Sequence, residues 1–340
     1  MTFVPAASPG AARALELVEA LQRDFAADLA AATGATFAPV AWLRDDGRHG
    51  GGVRLGAGDT ATIDRGSINV SQVHYDDEPG RALASATALS TIIHPRSPHA
   101  PSVHIHVSLT ELRTGRAYWR IMADLNPALP DVAATARFGE ALRQAAPAAF
   151  DDARAQGDRY FWIPALGRHR GAIHFYLEDH ATADPAADRA LAERVGRAAT
   201  TTYAALLAAA VAAARPVTDA DLAAQRAYHT LYLFQVLTLD RGTTSGLLIH
   251  DQNDVGILGS LPSHVDRALL ASWRDRVPPP QAALVDAIVA ALPAADPAPV
   301  TDLAKRALAD AVRGHYRAHP EALALQATGG VAVPTVANHR

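Results

Sequence analysis

The feature that most constrains the fold is a succession of short β-rich runs that extends from Thr36 to about Leu125. Clusters of Gly, Pro, Asp and Asn, which favour turns, separate these runs. No helix-length segment lies between them, and parallel neighbours in a sheet need a crossover of about a dozen residues. The sequence therefore predicts an antiparallel sheet that includes FAPVAWL, INVSQVHY, ALSTIIHP, SVHIHVSL and AYWRIMADL.

Helical spacing of apolar residues surrounds this region. A first helix is predicted over 11–33, and others over 132–156, 186–214, 219–228, 264–274, 279–292 and 301–318. A further strand is predicted at 171–177, and three more in LYLFQVLTLD, TSGLLIHD and VGILGSL. Because strands group with strands and helices with helices, the pattern favours an α+β fold: one large antiparallel β-sheet flanked on both faces by helices.

The domain organisation is predicted from composition. No convincing boundary lies between residues 35 and 292, so we expect a single domain over 1–293. The segment ADPAPV at 295–300 has the composition of a linker. Residues 294–340 are therefore predicted to form a linker, a helix and a flexible tail.

Composition excludes several functional classes. The net charge of −4 and the absence of a basic excess argue against a nucleic-acid partner. With 0 Cys there is no disulfide framework, thiolate nucleophile or iron–sulfur cluster. The amino terminus lacks a basic segment ahead of an apolar core, and the apolar run at 203–214 is shorter than the ~20 residues of a bilayer span. We therefore expect a cytoplasmic protein with no secretory signal and no membrane span.

The stretch HPRSPHAPSVHIH, residues 94–106, raises the question of a metal site. Alternation along a strand places His104 and His106 on one face, while the intervening Ile105 points to the other. Such a pair can ligate a metal, with His94 or His74 as a third ligand, but a hydrogen-bonded polar face is commoner. A divalent metal at His94 and His104 is therefore a candidate that we do not favour, and His99 is expected in a loop.

Three other polar segments each have a structural and a functional interpretation. Asp124, in ADLNP at a strand end, either caps backbone N–H groups or acts as a base. RHRGAIH at 168–174 is either a solvated loop or an anion clamp. Asp240 and Arg241 are expected at a tight turn between two apolar strands, where Arg241 pairs with Asp240 or reaches a ligand carboxylate. Motifs of nucleotide-binding, serine hydrolase and HExxH metalloprotease sites are absent from the sequence.

Six segments in the same order resemble the aerobic, cofactor-independent coproporphyrinogen III oxidases of haem biosynthesis, over about residues 14–275. No single segment is diagnostic, but six in the family's order and near its spacing are quite specific. The segments are HGGG (49–52), INVSQVH (68–74), LSTIIHPRSPHAPSVHIHV (89–107), DLNP (124–127), YFW (160–162) with RG and ED (170–171, 178–179), and LDRGTTSGL with ILGSLP (239–247, 257–262).

The resemblance implies an enzyme that uses O₂, without a redox cofactor, to convert two propionate side chains of a tetrapyrrole into vinyl groups. It also implies a large antiparallel sheet between layers of helices, and a homodimer. By the same resemblance, the site residues are Asp124 as the base that grips pyrrole N–H groups, His104 as the acid–base histidine, Arg170, Ser90, Arg241 and Asp240 as substrate-binding residues, and His94 as a histidine sometimes described as a metal ligand.

Several positions depart from the family pattern. His106 and Ser108 stand where the family has Asn and a carboxylate-binding Arg. Arg120 and Met122 replace the outer two residues of a triple glycine, and His174 replaces one of a Gly-Gly pair. Since these changes alter the cationic partners of an anionic substrate, we expect His106, Arg120 and His174 to contact the substrate as well. Two alternatives stay open: a divergent paralogue that acts on a smaller pyrrole- or indole-like carboxylic acid, and a non-catalytic tetrapyrrole-binding protein.

Overall fold

A computed structural model describes residues 3–331, except for the side chain of Asp251. Within these residues, seven strands form one antiparallel sheet in the order β1-β2-β3-β4-β5-β6-β9. The strands of this sheet are β1 (Ala38–Leu43), β2 (Gly50–Gly58), β3 (Ile63–His74), β4 (Leu83–Pro95), β5 (Ser102–Leu112), β6 (Ala117–Asn126) and β9 (Ile173–His180). Two short pairs, β7 (Trp162–Ile163) with β8 (Arg168–His169) and β10 (His264–Val265) with β11 (Ala298–Pro299), lie outside it.

Helices cover both faces of the sheet, which confirms the predicted α+β architecture. The helices are α1 (Pro9–Thr33), α2 (Val132–Ala145), α3 (Phe150–Tyr160), α4 (Pro185–Ala213), α5 (Asp219–Thr238), α6 (Arg241–Ile249), α7 (Asp254–Ile257), α8 (Arg267–Ser272), α9 (Gln281–Ala291) and α10 (Asp302–Ala318). Helices α1, α2 and α4 pack with one sheet face into a first hydrophobic core. Helices α5 to α10 form a second core over the other face.

Strand alternation separates the two sides of the sheet. On β6, Ile121 and Ala123 lie in the first core. The alternate residues Arg120 and Met122 face the second layer of helices. The same alternation along β3, β4 and β5 makes the first face apolar and the second face polar. The polar face is the one that carries the histidines of β5.

The three strands predicted in LYLFQVLTLD, TSGLLIHD and VGILGSL are wrong. The first is the second half of α5, the second is α6, and the third lies in α7 and a 3₁₀ turn at Leu258–Ser260. From Tyr228 to Thr238 every residue of α5 is buried. A helix buried all round shows no period of 3.6, so its apolar run cannot be told from that of a buried strand.

Smaller differences have local causes. The helix predicted over 132–156 is divided into α2 and α3 by Ala146–Ala149, and the helix predicted over 219–228 extends to Thr238. Strand β2, GGGVRLGAG, was not predicted, because glycine supplies few side chains from which a strand pattern can be recognised. The predicted turn at Asp240 is instead the start of α6, where the Asp240 carboxylate caps the helix by accepting from the Thr243 N–H.

The C-terminal segment is in contact with the rest of the fold. Leu308, Val312 and Tyr316 of α10 are buried in the second core. Strand β11, which lies in the predicted linker, pairs with β10 of the preceding domain segment. The boundary between a domain over 1–293 and a C-terminal segment over 294–340 stays a prediction. The flexible tail is predicted over roughly 326–340; residues 327–331 of it contact Glu178 and Arg241, and residues 332–340 lie outside the described residues.

Among the described residues, one helix, α4, is long and apolar enough to cross a membrane by length and composition alone. The sequence prediction considered only its C-terminal part, residues 203–214. Leu191, Val195 and Tyr203 of α4 are buried against α1, α2 and the sheet. Because core helices of folded domains meet the same criteria, this helix is weak evidence for a span.

Candidate active site

A cavity of about 240 Å³ lies between the polar face of the sheet and helices α5 to α7. Its floor is formed by alternate residues of β3, β4, β5 and β6, and its roof by the ends of the helices. Six residues predicted for the site line this cavity: Ser90, His104, His106, Arg120, Arg170 and Asp240. Other residues that line it include Ser67, Asn69, Met122, Tyr160, Tyr176, Tyr232 and Ser260.

His104 and Asp124 are cross-strand neighbours on β5 and β6. The His104 Nδ1 lies 3.0 Å from Asp124 Oδ1, so an N–H at Nδ1 donates to the carboxylate. This contact leaves Nε2 as the ring nitrogen that is available to the cavity. Within the described part of the chain, no hydrogen-bond partner of Nε2 is present.

Asp124 is fully buried and lies behind His104 rather than on the cavity wall. Its Oδ2 accepts from Arg170 Nη2 at 2.8 Å and from the Asn126 amide at 2.7 Å. Burial alone would raise the pKa of this carboxyl, but Arg170 and His104 outweigh burial and lower the pKa to about 2. Asp124 is therefore an anion that orients two cavity residues.

Arg170 is buried, with only 1% of its surface exposed, yet it lines the cavity. Its Nη1 donates to Gln235 Oε1 at 2.8 Å, and its guanidinium lies over the rings of Phe161 and Tyr232 at 4.5 and 5.0 Å. These contacts and the bond to Asp124 fix the guanidinium. Burial disfavours its charge, but Asp124 and the two tyrosines Tyr232 and Tyr228 raise the pKa of Arg170 above its usual value.

His106 is a neutral, hydrogen-bonded member of the cavity floor. Its Nε2 lies 2.9 Å from the Ser108 hydroxyl. Burial, with the positive charge of Arg120 adding to it, lowers the pKa of His106 to about 3. His106 and Ser108 therefore make the floor polar without adding charge at neutral pH.

Asp240 and Tyr160 close the cavity on the side of α6. Asp240 Oδ2 accepts from the Tyr160 hydroxyl at 2.8 Å, while Oδ1 caps α6. Burial, with the Asp240 carboxylate adding to it, raises the pKa of Tyr160 well above its usual value, so this phenol stays a donor. Ser90 lines the cavity from β4.

Two predicted substrate-binding residues do not line the cavity. His174 Nδ1 contacts Asp158 Oδ1 at 2.8 Å and Nε2 contacts the Arg170 carbonyl at 2.7 Å, so the ring supports the Arg170 backbone. Arg241 points towards the C-terminal segment, with Glu178 at 3.4 Å and the Ala327 carbonyl at 3.3 Å.

The geometry gives no support to a metal at His94 and His104. His94 is buried, and its ring nitrogens contact the Ser102 hydroxyl at 3.0 Å and the Ser260 carbonyl at 3.2 Å. Burial lowers the pKa of His94 well below its usual value. Among residues 3–331, three side chains lie close enough together to hold a metal: His49, Asp77 and Glu78. Neither His94 nor His104 belongs to this group. Both ring nitrogens of His49 already contact carboxylates.

Four residues of the site escaped prediction. Tyr160 belongs to the segment YFW, which carried the resemblance without a role, and Tyr176 lies in the predicted strand at 171–177. Tyr232 and Gln235 lie in the run predicted as a strand, so their position facing Arg170 could not be inferred. A correct helical assignment would have placed them about one turn apart.

Comparison with known proteins identifies the scaffold. A sequence model of the coproporphyrinogen III oxidase family matches residues 13–281. The chain belongs to this family. The matched segment contains every residue that lines the cavity, whereas α10 and the C-terminal residues lie outside it.

Individual oxidases match at low identity. The oxygen-dependent coproporphyrinogen-III oxidase of Prochlorococcus marinus (strain MIT 9313) is 29% identical over 175 residues, which cover 47% of this chain and 49% of that protein. The mitochondrial oxygen-dependent enzyme of Homo sapiens is 24% identical over 71% of this chain and 56% of its own length. The enzyme of Rickettsia bellii is 27% identical over 67% of this chain and 84% of its own length. The chain thus spans about half the length of the first of these relatives.

Proposed function

We propose that this protein catalyses the oxygen-dependent oxidative decarboxylation of propionate side chains, with coproporphyrinogen III as the substrate. The observation that supports this best is His104 on the cavity wall, oriented by Asp124 and Arg170, in a member of the coproporphyrinogen III oxidase family. An oriented imidazole on the wall of a cavity is suited to proton transfer at a substrate.

The proposed reaction balances without an added redox group. Each turnover removes two electrons from the electron-rich pyrrole, one proton from the side-chain carbon next to the ring, and one CO₂. The electron pair of the broken C–C bond completes the new vinyl group. The two electrons reduce O₂ to H₂O₂, which takes up two protons: the one from the side-chain carbon and one from solvent. A resident cofactor is therefore not part of the proposal.

The roles of the residues follow from their positions. His104 receives the carbon proton through Nε2, and Asp124 stabilises the resulting imidazolium. Arg170 keeps Asp124 ionised and presents positive charge to the cavity. Asp124 thus acts through His104, while Ser90, His106 and Asp240 contact the substrate; Arg241 and His174 act from outside the cavity.

The test is aerobic incubation with coproporphyrinogen III. We expect O₂ uptake, CO₂ release and vinyl product in equal amounts per side chain, with no activity under argon and full activity after dialysis against EDTA. His104→Gln should abolish CO₂ release. A matched control is His180→Gln, which removes a histidine paired with Asp188 at the end of β9, outside the cavity. A folded wild-type protein that releases no CO₂ in air would refute the proposal and favour one of the two alternatives.

We further infer a homodimer and a cytoplasmic location. The homodimer rests on the resemblance alone, and the cytoplasmic location rests on the absence of cysteine. Light scattering coupled to gel filtration tests the first, since a monomer at micromolar concentration contradicts it. Fractionation of cells that express the native gene tests the second.

A further inference from the structure

Arg120 is the one cation on the cavity floor that lacks an acceptor within the described part of the chain. It lies on β6 opposite Ser108 of β5, and its side chain lines the cavity. Its Nε is buried without a hydrogen-bond partner, and no carboxylate of the described residues lies within ion-pair distance. This contrasts with Arg170, whose guanidinium bonds Asp124 and Gln235.

The neighbours of Arg120 do not neutralise it. His106 is uncharged, and the Ser108 hydroxyl is engaged with His106. Asp240 is satisfied by Tyr160 and the start of α6, and Glu178 accepts from the Gly329 and Val331 amides. Burial alone would lower the pKa of Arg120, but Tyr176, Tyr118 and Tyr160 with Glu178 raise it, so the guanidinium remains charged.

Arg120 is half-buried and no carboxylate of the described residues contacts its guanidinium, so a carboxylate that enters the cavity would supply a charge-assisted pair that the protein itself lacks. The planar guanidinium presents paired N–H groups that match the two oxygens of a carboxylate. Arg120 therefore has the chemistry and the position of a ligand-binding residue.

We propose that Arg120 binds the carboxylate of a propionate side chain on a pyrrole ring that lies in the cavity. That the ligand carries a pyrrole ring rests on the proposed function. That it carries a carboxylate does not, because it follows from the chemistry of Arg120. The position is glycine in the family pattern that the sequence resembles, so the carboxylate site is a property of this chain.

The dimensions of the cavity agree with this class of ligand. Its volume of about 240 Å³ lies just below the ~300–1,000 Å³ range of small-molecule sites, which suits a small carboxylic acid. Arg120 pairs with Ser108, four positions along β5 from His104, so the His106–Met122 pair lies between them on the cavity face of the sheet.

The test is a fluorescence titration with coproporphyrin III, the oxidised and unreactive form of the proposed substrate. Arg120→Gln should weaken binding by about 10- to 100-fold, the range of one charge-assisted hydrogen-bonding pair. Arg120→Lys should recover part of this loss. The matched control is Arg116→Gln, which removes one positive charge just before the same strand, where Arg116 pairs with Asp179 on the surface. The control should bind within twofold of wild type.

A second measurement isolates the carboxylate. Indole-3-propionate should raise the melting temperature of the wild type, whereas its methyl ester should not, and neither should stabilise Arg120→Gln. Without ligand, Arg120→Gln should melt close to the wild-type temperature, because the half-buried Arg120 side chain makes no hydrogen bond or ion pair with the described residues. Equal binding by wild type and Arg120→Gln, or equal stabilisation by acid and ester, overturns the proposal.

These outcomes are separate from those of the activity assay. Arg120-dependent binding without CO₂ release leaves the carboxylate site in place and refutes the oxidase proposal. If the protein releases CO₂ but Arg120→Gln binds the ligand as well as the wild type, the oxidase proposal stands and the carboxylate site at Arg120 is refuted.

Discussion

His104 Nδ1 and Asp124 Oδ1 lie 3.0 Å apart across the β5–β6 pair, and this contact joins a cavity residue to a carboxylate that never reaches the cavity. The relationship makes Asp124 a positioning residue. Its effect on catalysis should therefore be seen in the turnover rate more than in substrate binding.

Asp124→Asn should lower kcat by roughly 10²- to 10⁴-fold, the usual contribution of one acid–base group. The amide keeps the shape of the carboxylate but cannot stabilise an imidazolium at His104. KM should change much less, and steady-state O₂ uptake measures both. Asp158→Asn is the matched control, because it makes the same change in the His174–Asp158 pair outside the cavity. An equal loss in both variants would show a structural effect alone.

His106 predicts a pH dependence of stability. Its pKa is about 3 in the folded state because of burial, against ~6.5 for an unperturbed histidine. Between these values the unfolded chain binds the extra proton, so stability falls as pH falls, by up to ~1.4 kcal/mol per pH unit. His106→Asn should flatten this slope between pH 6 and 4, as urea titrations at each pH would measure. A slope identical to wild type would contradict the buried neutral state.

The C-terminal strap, residues 326–331, is held by Glu178 and Arg241. Glu178 Oε2 accepts from the Gly329 and Val331 amides, both at 3.0 Å, and Ala327 packs on the cluster that contains Met122 and Tyr176. Glu178→Gln weakens charge-assisted bonds by about 1 kcal/mol, so these two amides should exchange roughly fivefold faster in hydrogen-exchange measurements. Asp179→Asn, the adjacent carboxylate that faces Arg116, is the control and should leave the strap unchanged.

Gly157 sets the approach of α3 to β9. A Cβ at this position would lie 2.6 Å from the His174 Cβ, whereas one at Gly139 of α2 would meet the Ile173 side chain, Cδ1 and Cγ1, at 3.3 Å. Gly157→Ala should destabilise the fold by about 1–3 kcal/mol despite its better helix propensity. Gly139→Ala should be near neutral or stabilising by up to ~1 kcal/mol. Urea denaturation compares them, and equal effects would argue against a close α3–β9 contact.

The sequence allowed the sheet to be predicted because its strands alternate between an apolar and a polar face. The same alternation correctly paired His104 with His106. It failed for α5, where burial on all sides removes any period, and so Tyr232 and Gln235 were missed. The directions of Arg241 and His174 were also beyond prediction, because they depend on Glu178 and Asp158, which lie far away in sequence.

Consecutive residues of β6 belong to different environments, with Ile121 and Ala123 in the first core and Arg120 and Met122 at the cavity. We expect substitutions of Arg120 to change which ligand is bound, whereas substitutions of Ile121 or Ala123 should disturb the packing of the first core. On the proposed carboxylate site, a single substitution at Arg120 therefore changes ligand preference and leaves the first core intact.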